Sequence, residues 1–113
     1  MLLLNADEAV IDPEKLRAYL LSTEHPHGRF KARFFAALGF RAERWEELES
    51  ALRAQHLTQG AERVAVAAAG QKFKIRAILV GPGGESSVVV SIWFIRPGET
   101  VPRFVTAYPG DRR

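Results

Sequence analysis

The chain has 113 residues, the length of a single domain over 1–113, and at that size it buries about two thirds of its unfolded surface around one core. Apolar residues at 47% and charged residues at 26% exclude a disordered tail, a collagen-like chain and a coiled coil. The 16 Lys and Arg exceed the 13 Asp and Glu, leaving a net charge of +3 that permits an anionic partner such as nucleic acid without demanding one.

Leu2 to Ile11 shows no clear helical period and reads as a short extended or irregular lead-in. Asp12 followed by Pro13 is a helix-start signal, because Pro lacks an N–H that the first turn would leave unbonded. Leu16, Tyr19 and Leu20 recur at helical spacing, so 13–21 is expected to be a short helix, ended by Ser22 to Gly28. A second helix is expected from about Gly28 to Leu38, with Phe30, Phe34 and Leu38 along one face and Gly39 as the residue that ends it. A third is expected from about Ala42 to Gln55, with Trp45, Leu48 and Leu52 as its apolar stripe. Its acids lie early and Arg53 late, as the helix dipole favours.

After Gly60 the period becomes two. Residues 63–69 read as a weak strand and 71–80 as a strong one, with Phe73, Ile75, Ala77 and Leu79 on one face. Gly81 to Gly84 is a turn by composition, 86–95 a β-branched and aromatic strand, Arg96 to Glu99 a second turn, and 102–108 a last strand. Helices grouped before strands predict an α+β fold, with about three N-terminal helices packed on one face of a three- to four-stranded antiparallel sheet.

The chain has no cysteine, which excludes disulfides, thiolate zinc sites and a cysteine nucleophile. No apolar run approaches the ~20 residues of a membrane span. Met1–Leu4 is too short for a secretory leader and acids follow it, so no membrane association and a cytoplasmic location are expected. His25 and His27 lack a third nearby ligand, so no metal or other cofactor is expected. His56, near a helix end, reads as structural.

Two features exceed this background. From His25 to Ala42 there is no acid, yet Arg29, Lys31, Arg33 and Arg41 are present around a helix start. Imidazoles can move protons near neutral pH, and the cations can hold charge that builds on phosphate oxygens. A solvated basic helix start accounts for the same residues. Positive charge at a helix N-terminus, however, costs about 0.3–1 kcal/mol per group, which weighs toward a functional reason.

The second feature is Lys72, Lys74 and Arg76, which alternate onto one face of their strand. On the next strand Ser87, Val89, Ser91 and Trp93 oppose Val88, Val90, Ile92 and Phe94. If the helices cover the more apolar set, Ser91 and Trp93 join the basic row on the open face. The last strand adds either Phe104, Thr106 and Tyr108, or Arg103 and Val105. Cations, hydroxyls and aromatics on an open sheet face suit single-stranded RNA, although an ordinary solvent face would also carry lysines.

The stretches Asn5-Ala6-Asp7, Pro13 to Leu21, and His25-Pro26 with Gly28-Arg29 and Lys31 to Phe40 resemble a bacterial domain family of unknown function. So does Trp93 followed by Pro102 to Pro109. The resemblance covers nearly the whole chain. More distantly it is similar to metal-independent RNase toxins of the barnase–EndoU–colicin D–RelE arrangement, which place helices before an antiparallel sheet. Family members occur as C-terminal modules of large bacterial toxins and beside small partner genes. The chemistry this implies is attack of an RNA 2′-hydroxyl on the adjacent phosphate.

By the same resemblance His25, Arg29 and Lys31 of the helix start and Thr106 and Tyr108 of the last strand are catalytic candidates. His27, Lys74, Arg76, Ser91 and Trp93 are substrate-binding candidates. RNA and an acidic antitoxin or immunity protein are the expected partners. The competing expectation is a non-catalytic module that binds nucleic acid or protein, for example as one half of a toxin–antitoxin pair.

Overall fold

The computed structural model describes residues 1–24 and 29–110, and at Arg29 the backbone alone. The first helical turn starts at Pro13, and the Asp12 carboxylate accepts the Glu14 N–H at 3.0 Å, capping it. It continues as α1, Lys15–Leu20, which is wound as a π-helix. The Leu21 N–H accordingly reaches five residues back to the Leu16 carbonyl at 2.7 Å, and Leu16 and Leu20 are fully buried.

Helix α2 is Arg29–Ala37. Gly39 ends it with φ +96°, as its place after the apolar stripe predicts. The Phe40 N–H bonds the Phe35 carbonyl at 3.0 Å and the Gly39 N–H bonds Ala36 at 2.9 Å, the paired closure of a Schellman motif. The Phe35 and Phe40 rings meet across that closure at 6.5 Å. Helix α3, Trp45–Ala51, follows a 3-10 turn at Ala42–Arg44 and runs on into a π-helical turn, Leu52–His56.

Four strands complete the chain: β1 Glu62–Ala67, β2 Gly70–Val80, β3 Ser86–Ile95 and β4 Arg103–Pro109. They form one antiparallel sheet in the order β1-β2-β3-β4. The protein is therefore α+β with its helices ahead of the sheet, as expected. The lead-in segment is tied down at two points. Val10 bridges Arg103 beyond β4, and Leu2 bridges Gly60. Strand β1 is exposed along its whole length, which explains its weak sequence signal.

The helices cover the face carrying Phe73, Ile75 and Leu79, which join Leu16, Phe35, Leu48 and Leu52 in one core. The register pairs Phe73 with Trp93 and Ile75 with Ser91. Ser91 and Trp93 therefore point into the core, and both are fully buried. This corrects the expectation that they belong to the open face. The more apolar set of β3 faces outward, and the polar Ser91 is tolerated inside because His56 satisfies it.

His56 Nε2 lies 3.2 Å from the Ala77 carbonyl, which can only accept, so Nε2 carries the proton. Nδ1 then accepts the Ser91 hydroxyl at 2.8 Å, and Ser91 Oγ accepts the Trp93 indole N–H at 2.9 Å. The result is a one-way chain of donors from Trp93 to Ser91 to His56 to Ala77. No buried side-chain polar atom among the described residues is left without a partner.

Burial pushes the His56 pKa below its ordinary 6.5, opposed by a smaller pull from the bond to Ala77. Well above pH 6.5 the ring is neutral in the folded and unfolded chains, and stability is complete. As pH falls below 6.5 the unfolded chain takes up a proton that the folded core refuses, so stability drops until the folded pKa is passed. Urea unfolding at about pH 8 and about pH 5 should show a lower midpoint in acid, with a smaller acid loss in His56→Gln. Equal acid losses in the two proteins would count against this assignment.

Candidate functional site

The open face of the sheet is organised as rows that cross β2, β3 and β4. The first is Lys72, Phe94 and Arg103, the second Lys74, Ile92 and Thr106, and the third Arg76, Val90 and Tyr108. A fourth pairs Ile78 with Val88. Each of the first three begins with a cation on β2 and ends on β4 with Arg, Thr or Tyr. Residues at the two ends of a row are about 10 Å apart, two interstrand spacings. Val90 and Ile92 lie between them at only 5% exposure each, so the flanking side chains stand over an apolar floor.

One irregularity makes this arrangement possible. Phe104, Thr106 and Tyr108 have the same parity and would share a face in a regular strand. The register shifts between Ile92 and Trp93, so that Phe104 pairs with Trp93 and Thr106 with Ile92, leaving Val105 as the extra residue of a bulge. Phe104 turns inward and its ring meets Trp93 edge-on at 5.3 Å. Thr106 and Tyr108 remain outside, with Arg103. Neither of the two expected sets is therefore realised as a whole, and members of both share the open face.

Helix α2 contributes a side chain across the β4 edge. Lys31 Nζ donates to Thr106 Oγ1 at 3.1 Å and sits 5.5 Å from the centre of the Tyr19 ring. Among the described residues no carboxylate pairs with Lys31. Lys74 lies 3.8 Å from Glu62 and Arg103 Nε 3.4 Å from Glu99. Both pairs are solvent-exposed contacts of the kind worth under about 1 kcal/mol.

The structure thus brings Lys31, Thr106, Tyr108, Lys74 and Arg76 to one face and removes Ser91 and Trp93 from it. His25 and His27 lie outside the described residues, as does the side chain of Arg29. Tyr19 and Phe94 were not singled out from the sequence as site residues. Phe94 was legible in principle. A loop of residues 81–85 fixes Val80 opposite Ser86, and counting back along both strands puts Lys72 opposite Phe94. Tyr19 carried no such signal, since it fits the apolar stripe of α1.

The groove between α3 and the β2–β3 turn has a different character. Glu46 and Glu47 line it and no cation does, so it does not suit an anionic ligand. Among the described residues no three His, Asp or Glu side chains converge as metal ligands, and no helix is long and apolar enough to cross a membrane.

A search of curated proteins found no match. Among solved structures, one chain from a contact-dependent growth inhibition toxin–immunity protein complex of Klebsiella pneumoniae 342 is similar, with a TM-score of 0.58 and 18% identity. The similarity covers 89% of this chain and 99% of that chain, and at this identity it is a likeness of fold. The family model of a domain of unknown function, DUF6883, matches residues 2–111. Over that span, nearly the whole of its length, the chain belongs to the DUF6883 family.

Proposed function

We propose that this chain is a toxin-related domain that cleaves RNA by metal-independent transesterification on the open face of its sheet. The contact between Lys31 Nζ and Thr106 Oγ1 carries the reading, because it joins the basic start of α2 to the hydroxyls of the last strand. The fold it shares with a chain of a toxin–immunity complex supports a toxin-related role.

In this reading the 2′-oxygen of the RNA attacks the adjacent phosphorus as the bond to the 5′-oxygen breaks. The products are a 2′,3′-cyclic phosphate and a 5′-hydroxyl. His25 takes the proton from the 2′-hydroxyl or returns one to the leaving oxygen. Arg29 and Lys31 hold the charge that develops on the phosphorane oxygens. Thr106 and Tyr108 position the phosphate, and Lys74, Arg76 and His27 bind flanking nucleotides. Ser91 and Trp93 have no part in binding, because the core encloses them. A chain of this activity in the cytoplasm requires an acidic neutralising partner over the same cations.

Purified protein is expected to cleave total RNA in the presence of chelator. Lys31→Ala should lower the rate about 100-fold, the usual cost of removing one group that stabilises transition-state charge. No cleavage by wild type, or equal cleavage by Lys31→Ala, would reject the proposal.

The comparison complex contains an immunity protein as well as a toxin, and that favours one second reading: a non-catalytic partner domain on the same scaffold. Expression without the neighbouring gene separates the two. It arrests growth if the chain is the toxin and is harmless if it is the neutralising half.

A further inference from the structure

We infer that the row Lys72, Phe94 and Arg103 is a nucleotide subsite for single-stranded RNA, with the Phe94 ring stacking on a base and the two cations holding its flanking phosphates. The inference rests on the reading of the open face as an RNA surface and adds to it a residue and a direction.

Phe94 is the aromatic residue that β3 presents on this face, and it is partly exposed where its strand neighbours Val90 and Ile92 are buried. Its ring is seated on backbone. A Cβ placed on Gly70 would stand 2.6 Å from Phe94 Cζ, and Gly70 holds φ +132°, so the glycine makes room for the ring. A platform fixed in this way loses little freedom when a base settles on it. Stacking also tolerates any base, since each has a π-face.

The charges flank that ring. Lys72 is exposed and has no ion pair among the described residues. Arg103 spends one of its five N–H donors on Glu99 at 3.4 Å. Successive rows on one face are about 6.8 Å apart, comparable with the backbone repeat of an extended nucleic-acid strand. The subsite therefore lies about one nucleotide from Thr106 and two from Tyr108. At the other end Ile78 is 59% exposed beside Val88, with no cation in that row, so the charged backbone is directed toward Lys72.

The test is binding of a short 2′-O-methyl oligoribonucleotide, which lacks the attacking hydroxyl, followed by fluorescence anisotropy across a salt series. Phe94→Leu should weaken binding about tenfold. Replacing Lys72 and Arg103 by Ala should also make the slope of log affinity against log salt about 1.4 shallower. No affinity in wild type, or wild-type affinity in Phe94→Leu, would overturn the subsite even if the protein cleaves RNA. Phe94-dependent binding without cleavage would keep the subsite and remove the nuclease reading. Should Phe94→Leu fail to fold, Lys72→Glu carries the same decision: about tenfold weaker binding supports the subsite and unchanged binding overturns it. Polyglutamate that binds as tightly as the oligonucleotide, without dependence on Phe94, would assign the row to an acidic protein and overturn the proposal.

Discussion

Gly81→Ala is expected to lose about 4 kcal/mol of stability, a fall in Tm on the order of 15 °C. A Cβ at this position would lie 1.6 Å from the Leu38 carbonyl oxygen and 2.6 Å from its carbonyl carbon. Both are backbone atoms at the end of α2, so no side-chain rotation can relieve the overlap. A second contact at the same junction is tight but not an overlap, since a Cβ on Gly39 would stand 3.2 Å from the Pro82 ring. The end of α2 is thus fitted directly onto the β2–β3 turn, and separating them opens the core around Phe35, Leu38 and Phe40. Gly83→Ala, two residues away, has nothing within 4 Å of its new Cβ and should change Tm by no more than a degree or two. Thermal unfolding of the two variants side by side checks this, and equal Tm values would show that the close approach is not a constraint on the fold.

Ser91→Ala is expected to cost about 3 kcal/mol although it removes a single oxygen atom. Ser91 Oγ both accepts the Trp93 indole N–H at 2.9 Å and serves His56 Nδ1 at 2.8 Å, in a region without exposure to water. Its loss leaves two polar groups unpaired in the core, each a penalty of about 1–3 kcal/mol. Trp93→Phe removes one of those groups, so the double variant should lose less than the sum of the singles. Urea unfolding of the four proteins gives the coupling. Additive losses, or a Ser91→Ala cost within about 0.5 kcal/mol, would show that the three residues do not act together.

The same network explains what could not be read from the residues alone. The order of elements, the Asp12 start and the Gly39 stop were legible because they depend on local chemistry, namely a capping carboxylate, a proline without an N–H, and a glycine free to adopt positive φ. The facing of β3 was not, because both of its alternating sets are apolar enough to be covered. The choice between them turns on His56, which lies 35 residues before Ser91 and meets it only in three dimensions. The β2 cations were placed correctly, since Phe73, Ile75 and Leu79 leave little doubt which side is covered. Gly81 was legible as a turn residue, but its approach to Leu38 joins elements far apart in the chain. The Lys31–Thr106 contact spans 75 residues and was implied only by resemblance.

The extra residue at Val105 has a consequence for how this strand can change over time. It works as a frameshift written in backbone: on one side odd and even positions have one meaning, and on the other side the opposite. Shortening β4 by one residue at the bulge restores a single frame. Removing Val105 does so with Phe104 still inside and Thr106 and Tyr108 still outside, whereas removing Ala107 turns either Thr106 or Tyr108 inward. The last strand can therefore lose a residue at Val105 without exchanging its faces, and at Ala107 it cannot.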